Sequence, residues 1–183
     1  MKIVAALLLV SLYGWSQPAK QIALNAGAAG GKEYKIAPQT FRDLERRFDM
    51  RLVTLVPNAD DPVELLGTTR GVYVPGCGIV FTAEVSLVTT PELSPFRREI
   101  PKELADRVHK RRVERLPLLE KAMDDMLHNM AMTFMQVPSD QKIVLAVRLL
   151  YGSWESTEGM PSQIMLRATR AGMQLNEITK DIQ

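Results

Sequence analysis

Between Leu116 and Phe134, apolar side chains recur at steps of three and four. Leu116, Leu119, Met123, Met126, Met130 and Phe134 fall on one face of a helix at that spacing. The helical pattern runs from about Pro101 to Gln136, where Val137-Pro138-Ser139-Asp140 breaks it. Pro117 lies inside the pattern. It cannot complete an interior helical hydrogen bond, so the sequence predicts either a kink or two consecutive helices there. A stripe of this length needs a partner layer, and the rest of the chain supplies one.

The strongest strand signal precedes the helix. From Ile79 to Val88, Phe81, Ala83, Val85 and Leu87 alternate with Thr82, Glu84 and Ser86. That is the period of a half-buried strand. Val72-Tyr73-Val74 leads into it through Pro75-Gly76, which suits the central positions of a type II turn. A hairpin follows from these two observations. Pro91 to Pro95 ends the second strand. After the long helix, Lys142 to Tyr151 is a further strand, with Ile143, Leu145, Val147 and Leu149 on one side. Ile164, Leu166 and Ala168 alternate with Met165, Arg167 and Thr169 in a last strand, and the tail from Gly172 reads as a short helix.

A first helix is expected from Thr40, a good N-cap, with Phe41, Leu44, Phe48 and Leu52 on its apolar face. Val53 to Val56 reads as a short strand and Asn58 to Pro62 as a turn. The order is therefore helix, hairpin, long helix, hairpin. It predicts an α+β fold: an antiparallel or mixed sheet of about four to five strands in two hairpins, with the long helix packed on one face. The β-α-β alternation of a doubly wound sheet is missing. No repeat or linker divides residues 39–183, which read as a single domain.

The first residues read as a secretory signal peptide. Lys2 precedes an almost unbroken apolar run from Ile3 to Leu12, and Gly14 and Ser16 suit a signal-peptidase site. Cleavage after Ser16 removes residues 1–16 and leaves a flexible lead over 17–38, rich in glycine and alanine. The run is shorter than the roughly 20 residues a membrane span requires. No cysteine follows it, which argues against a lipoprotein. The expected location is the periplasm or the extracellular space, with no transmembrane helix in the mature chain.

Export and a formal net charge of +2 together exclude nucleic acid as an expected ligand. Cys77 is the only cysteine, so no internal disulfide can form. Flanked by Gly76 and Gly78, it could act as a nucleophile only with a histidine beside it, and His109 and His128 are the two available. The simpler reading makes Cys77 a small residue in the turn. The glycines here join strands rather than open a helix, so they form no phosphate loop.

Two clusters on the long helix stand out. Met123, Met126, His128, Met130, Met132 and Met135 crowd together, and thioethers with imidazole suit copper(I). Most of these methionines lie on the apolar stripe, where methionine is a common filler. His128 and Met132 share a face at i and i+4, and with Met135 they are the candidate metal ligands. The second cluster is basic. Arg107, Arg111, Arg112 and Arg115 suit a positive stripe for an envelope protein or an anionic envelope surface. Asp60-Asp61 and Asp124-Asp125 are adjacent pairs whose side chains diverge on a helix, and Glu84 is the one acid in the best strand. Gly-x-Ser-x-Gly, His-Glu-x-x-His and Cys-x-x-Cys are all missing from the chain.

The stretch Val72-Tyr73-Val74-Pro75-Gly76-Cys77-Gly78-Ile79-Val80-Phe81 resembles exported bacterial proteins of a family without assigned function. There a Gly-aromatic-Gly and apolar-strand pattern precedes a long helix and a further apolar strand. The similarity covers about residues 40–170, with Cys77 in the place of the aromatic. The resemblance implies export and brings no catalytic residue. The sequence thus predicts a non-enzymatic exported domain, without a cofactor, that binds another envelope component. Its expected surface is the basic stripe with the Pro75–Gly78 turn. The alternatives are copper binding through the methionine-rich helix and an enzyme of unfamiliar type.

Overall fold

The computed structural model describes residues 35–57, 60–90 and 100–183. The leader expected at 1–16, most of the lead and the Pro91–Pro95 stop lie outside the described residues.

Helix α1 spans Pro38–Val53, with Ala37 at the N-cap. It starts before Thr40 because proline is tolerated in the first turn, where its missing N–H has no helical partner to lose. Thr40 instead donates its backbone N–H to Ala37 O at 2.9 Å. The helix also runs through Val53, where a strand was expected to begin. Residues 54–57 then turn, with Thr54 Oγ1 donating to Met50 O at 2.7 Å.

The sheet is mixed and six-stranded. β1 (Glu64–Leu65) and β2 (Arg70–Val74) lie end to end along one side of β3 (Gly78–Ser86), both antiparallel to it. Helix α2 (Lys102–Thr133) carries the chain to β4 (Lys142–Leu149), which pairs with β3 in parallel. β5 (Gln163–Thr169) pairs antiparallel with β4, and β6 (Thr179–Ile182) antiparallel with β5. The short helix α3 (Arg170–Gln174) lies between β5 and β6. The expected tail helix is thus followed by a strand.

The expected β2–β3 hairpin is present. Cys77 N donates to Val74 O at 3.0 Å, and Gly76 takes φ 77°, as position i+2 of a type II turn requires. α2 is one uninterrupted helix with Pro117 inside it, neither ended nor divided there. Pro117 is exposed, and so is Val113, whose carbonyl loses its helical donor to the proline ring nitrogen. Water can satisfy that carbonyl. No helix among the described residues is long and apolar enough to cross a membrane.

The core lies between the helices and one face of the sheet. Ile79, Phe81 and Val85 from β3, Ile143, Leu145 and Val147 from β4, and Ile164 from β5 meet Leu44, Phe48 and Leu52 from α1. Leu119, Met123, Met126 and Met130 of α2, followed by Phe134, complete it as the stripe predicts. Phe41, Phe81 and Phe134 form an aromatic trio with centroids 5.4–6.3 Å apart. Gly71 makes that trio possible, since a Cβ there would stand 2.5 Å from Phe81 Cε1. α1 also fastens the sheet's edge: Glu45 Oε1 accepts from Gly71 N at 2.8 Å and Asp49 Oδ1 from Thr69 N at 2.9 Å. On the sheet's other face, Thr82, Glu84, Arg148 and Arg167 are exposed.

Candidate functional site

The basic stripe divides when the helix folds against the sheet. Arg107 is exposed. Arg112 is 1% exposed and Arg115 6%, so two of the four guanidinium groups expected on a surface point inward. The reason is geometric. Continuing the buried positions of α2 toward its N-terminus from Met123 and Leu119 gives Arg115, Arg112 and Val108, again at steps of three and four. The charged groups occupy the apolar face because carboxylates from distant loops meet them there.

Arg112 faces Glu155 with Nε 2.5 Å from Oε2, and its Nη2 donates to Glu155 Oε1 at 2.9 Å and to Ser86 Oγ at 3.0 Å. Its guanidinium carbon sits 5.0 Å from the centroid of the Tyr151 ring. Glu155 Oε1 also accepts from Gly152 N at 3.0 Å and Thr90 Oγ1 at 3.1 Å. Burial pushes the Tyr151 phenol above its ordinary range despite the nearby Arg112 charge. It remains neutral and donates to Pro161 O at 2.6 Å. One turn on, Arg115 Nη1 donates to Leu87 O at 2.7 Å and Asp61 O at 2.6 Å, while Nη2 meets Asp61 Oδ1 at 2.8 Å. Arg111 pairs with the other oxygen of Asp61. Together the three arginines bolt the loops at 60–62, 86–90 and 150–155 onto α2.

Burial alone would raise the Asp61 carboxyl, but hydrogen bonds from Arg111 and Arg115, with their charges, outweigh it and hold it below its ordinary range. The unfolded chain, with an aspartate near 3.9, binds this proton more readily. The carboxylate therefore stabilises the fold fully above about pH 5, and that contribution is lost as pH falls through the folded value. Asp61→Asn is expected to lower the urea midpoint most at pH 7, with the gap to wild type closing towards about pH 3. A gap of constant size would show that Asp61 is not the titrating group.

The other candidates fall in separate places. Cys77 is exposed at the hairpin turn. Neither histidine's Nδ1 bonds it: that of His109 donates to Ser156 O at 3.1 Å and that of His128 to Asp124 O at 2.9 Å. His128, Met132 and Met135 come together at one concavity beside α3, together with Ala131, Arg170 and Met173. Sequence reasoning did not single out Met173, because nothing in the local pattern shows that α3 folds back onto α2.

Glu84 lies in a depression of about 440 Å³ on the face of the sheet opposite the described helices. The depression exists because the edge strand is interrupted. β1 ends at Leu65 and β2 begins at Arg70, so the Leu66–Thr69 link leaves a notch beside β3. Gly67, at φ 119°, permits that bend. Leu66 and Ala146 supply apolar surface, and Thr68, Thr82 and Gln163 supply neutral polar groups. Arg70 and Arg148 bring positive charge against Glu84. The Arg148–Glu84 pair is 3.6 Å apart and largely exposed, so it holds its partners weakly. Among the described residues, Arg70 lies within ion-pair distance of no carboxylate.

Comparison with protein-family models, curated proteins and solved structures finds no match to this chain.

Proposed function

We propose that this chain is an exported, non-enzymatic binding domain that takes an acidic segment of another envelope protein on the face of its sheet opposite the described helices. The observation that carries this reading is the notch over β3. It is a concave surface with two arginines, one weakly held carboxylate and a small apolar floor. A carboxylate side chain entering the notch would meet Arg70 and Arg148 together, with Thr82 and Gln163 as further hydrogen-bonding groups. Small apolar neighbours of that carboxylate would cover Leu66 and Ala146. Export rests on the Lys2–Ser16 leader pattern. The non-enzymatic reading is supported by the buried ionisable groups, Arg112, Arg115 and Glu155, whose charges tie loops to α2.

The test is fluorescence anisotropy with a panel of labelled peptides that differ in acidic content. Binding is expected for acidic peptides and to be lost in Arg70→Glu/Arg148→Glu, whereas Arg107→Glu on α2 leaves it intact. Because both notch arginines are exposed, their reversal should leave the fold in place. Equal binding by neutral and acidic peptides, or retention in the double reversal, would overturn the assignment.

A further inference from the structure

We infer that the concavity between the C-terminal end of α2 and α3 is a site for a soft monovalent metal ion, copper(I) in chemical class. Its donors are the imidazole of His128 and the thioethers of Met132, Met135 and Met173. Three stretches of chain contribute them. His128 and Met132 lie one turn apart on α2, Met135 follows the end of the helix, and Met173 comes from α3.

Two independent features favour a metal over a simple apolar dimple. The first is the state of the histidine. His128 Nδ1 lies 2.9 Å from the carbonyl oxygen of Asp124, and a carbonyl can only accept. The proton therefore sits on Nδ1 and the lone pair on Nε2. A hydrogen bond of this kind behind a ring is what orients metal-binding histidines and sets their tautomer. The second is the exposure of the methionines. Met132 is 71% exposed and Met135 64%, whereas Met123, Met126, Met130 and the fourth donor, Met173, are buried in the core. Filling the core accounts for the buried four, Met173 at the edge of the concavity included, and leaves the exposed pair without a packing role.

The donor set and its surroundings select the ion. Thioether sulfur and imidazole suit copper(I) and not the hard cations that take oxygen ligands. Among the described residues, no group of three His, Cys, Asp or Glu side chains is placed to hold a metal. Arg170 also lines the concavity, its Nε anchored to Val137 O at 3.0 Å, and its charge opposes a dication more than a monocation. The volume of about 200 Å³ lies below the roughly 300 Å³ at which small-molecule pockets begin.

The site is tested on the full chain by anaerobic titration with copper(I) against bicinchoninate. The chain is expected to withdraw one copper(I) per molecule, with X-ray absorption showing sulfur neighbours and a nitrogen. Met132→Leu/Met135→Leu alters only exposed side chains, so it should fold as the wild type does and withdraw none. His128→Gln is expected to weaken binding by about tenfold or more. Failure of the wild-type chain to compete, a spectrum without sulfur, or undiminished competition by the double leucine variant would overturn the assignment. None of these outcomes bears on peptide binding at the notch, which uses other residues.

Discussion

Arg112→Met is expected to cost about 3–5 kcal/mol of stability, the largest loss from any single side chain of α2. The substitution keeps most of the buried volume and removes the charge. It leaves the Glu155 carboxylate buried, with Gly152 N and Thr90 Oγ1 as its remaining donors. Ser86 Oγ and Leu150 O lose a donor at the same time. Domains of this size are stable by about 5–15 kcal/mol in total, so much of the variant should be unfolded at moderate urea. Arg112→Met/Glu155→Leu removes both charges and is expected to recover at least half of the loss, since replacing a buried pair by apolar groups is often close to neutral. Arg107→Met, on the exposed side, should lie within about 0.5 kcal/mol of wild type. Urea midpoints across the four proteins measure this directly. If the double variant is no more stable than Arg112→Met, the pair is not what the arginine serves. Charge reversal at Arg111, Arg112 and Arg115 together would therefore report on folding and not on a binding surface.

Gly78→Ala should be nearly as damaging, for a backbone reason. Gly78 opens β3 at φ 128° and pairs across the parallel ladder with Lys142. A Cβ there would stand 2.0 Å from the carbonyl oxygen of Lys142, which belongs to the backbone and cannot rotate away. Positive-φ strain and the forced separation of β3 from β4 together cost about 3 kcal/mol or more. The melting temperature should fall by roughly 10 °C. Gly76→Ala is the control. It has positive φ in the same turn, but a Cβ there meets nothing within 4 Å, so only the strain of about 1 kcal/mol remains. Equal losses in the two variants would rule out the Lys142 contact as the cause.

The parts of the fold that sequence reading recovers are those with a repeated local signal. β3, β4 and β5 alternate strictly, Pro75-Gly76 marks its own turn, and the α2 stripe repeats over several turns. β1 and β6 escape notice because Glu64–Leu65 is too short to show a period and Thr-Lys-Asp-Ile at 179–182 is largely polar. Both are strands because a neighbour offers them hydrogen bonds. Sequence reading leaves the sense of the β3–β4 pairing open between an antiparallel and a mixed sheet, although a helix between two strands is the crossover that parallel neighbours need. Pro117 looked like a break and is absorbed because its side of α2 faces water. Arg112 and Arg115 were visible as charges, yet Glu155 and Asp61, the partners that permit their burial, lie in loops without periodicity. The helical phase of Leu119 and Met123, carried back toward the N-terminus, does point to both arginines. For the metal site, His128 and Met132 were legible from one-turn spacing, whereas Met173 depends on how α3 docks.

The parallel pairing of β3 with β4 also governs the route by which this chain can assemble. The two strands are neighbours in the sheet, but residues 87–141 separate them along the chain, and their ladder yields nothing until that span has closed. α2 shortens the span, because a helix forms locally within about a microsecond, long before distant strands meet. Arg112 and Arg115 on that helix reach the residues that leave β3 and those that follow β4, such as Leu87 O and Leu150 O. They join the two ends of the span that the parallel β3–β4 pairing has to close. Contacts that engage after the rate-limiting encounter leave the folding rate almost unchanged and slow the reverse step. Arg112→Met is therefore expected to speed unfolding and leave refolding almost unchanged in stopped-flow kinetics.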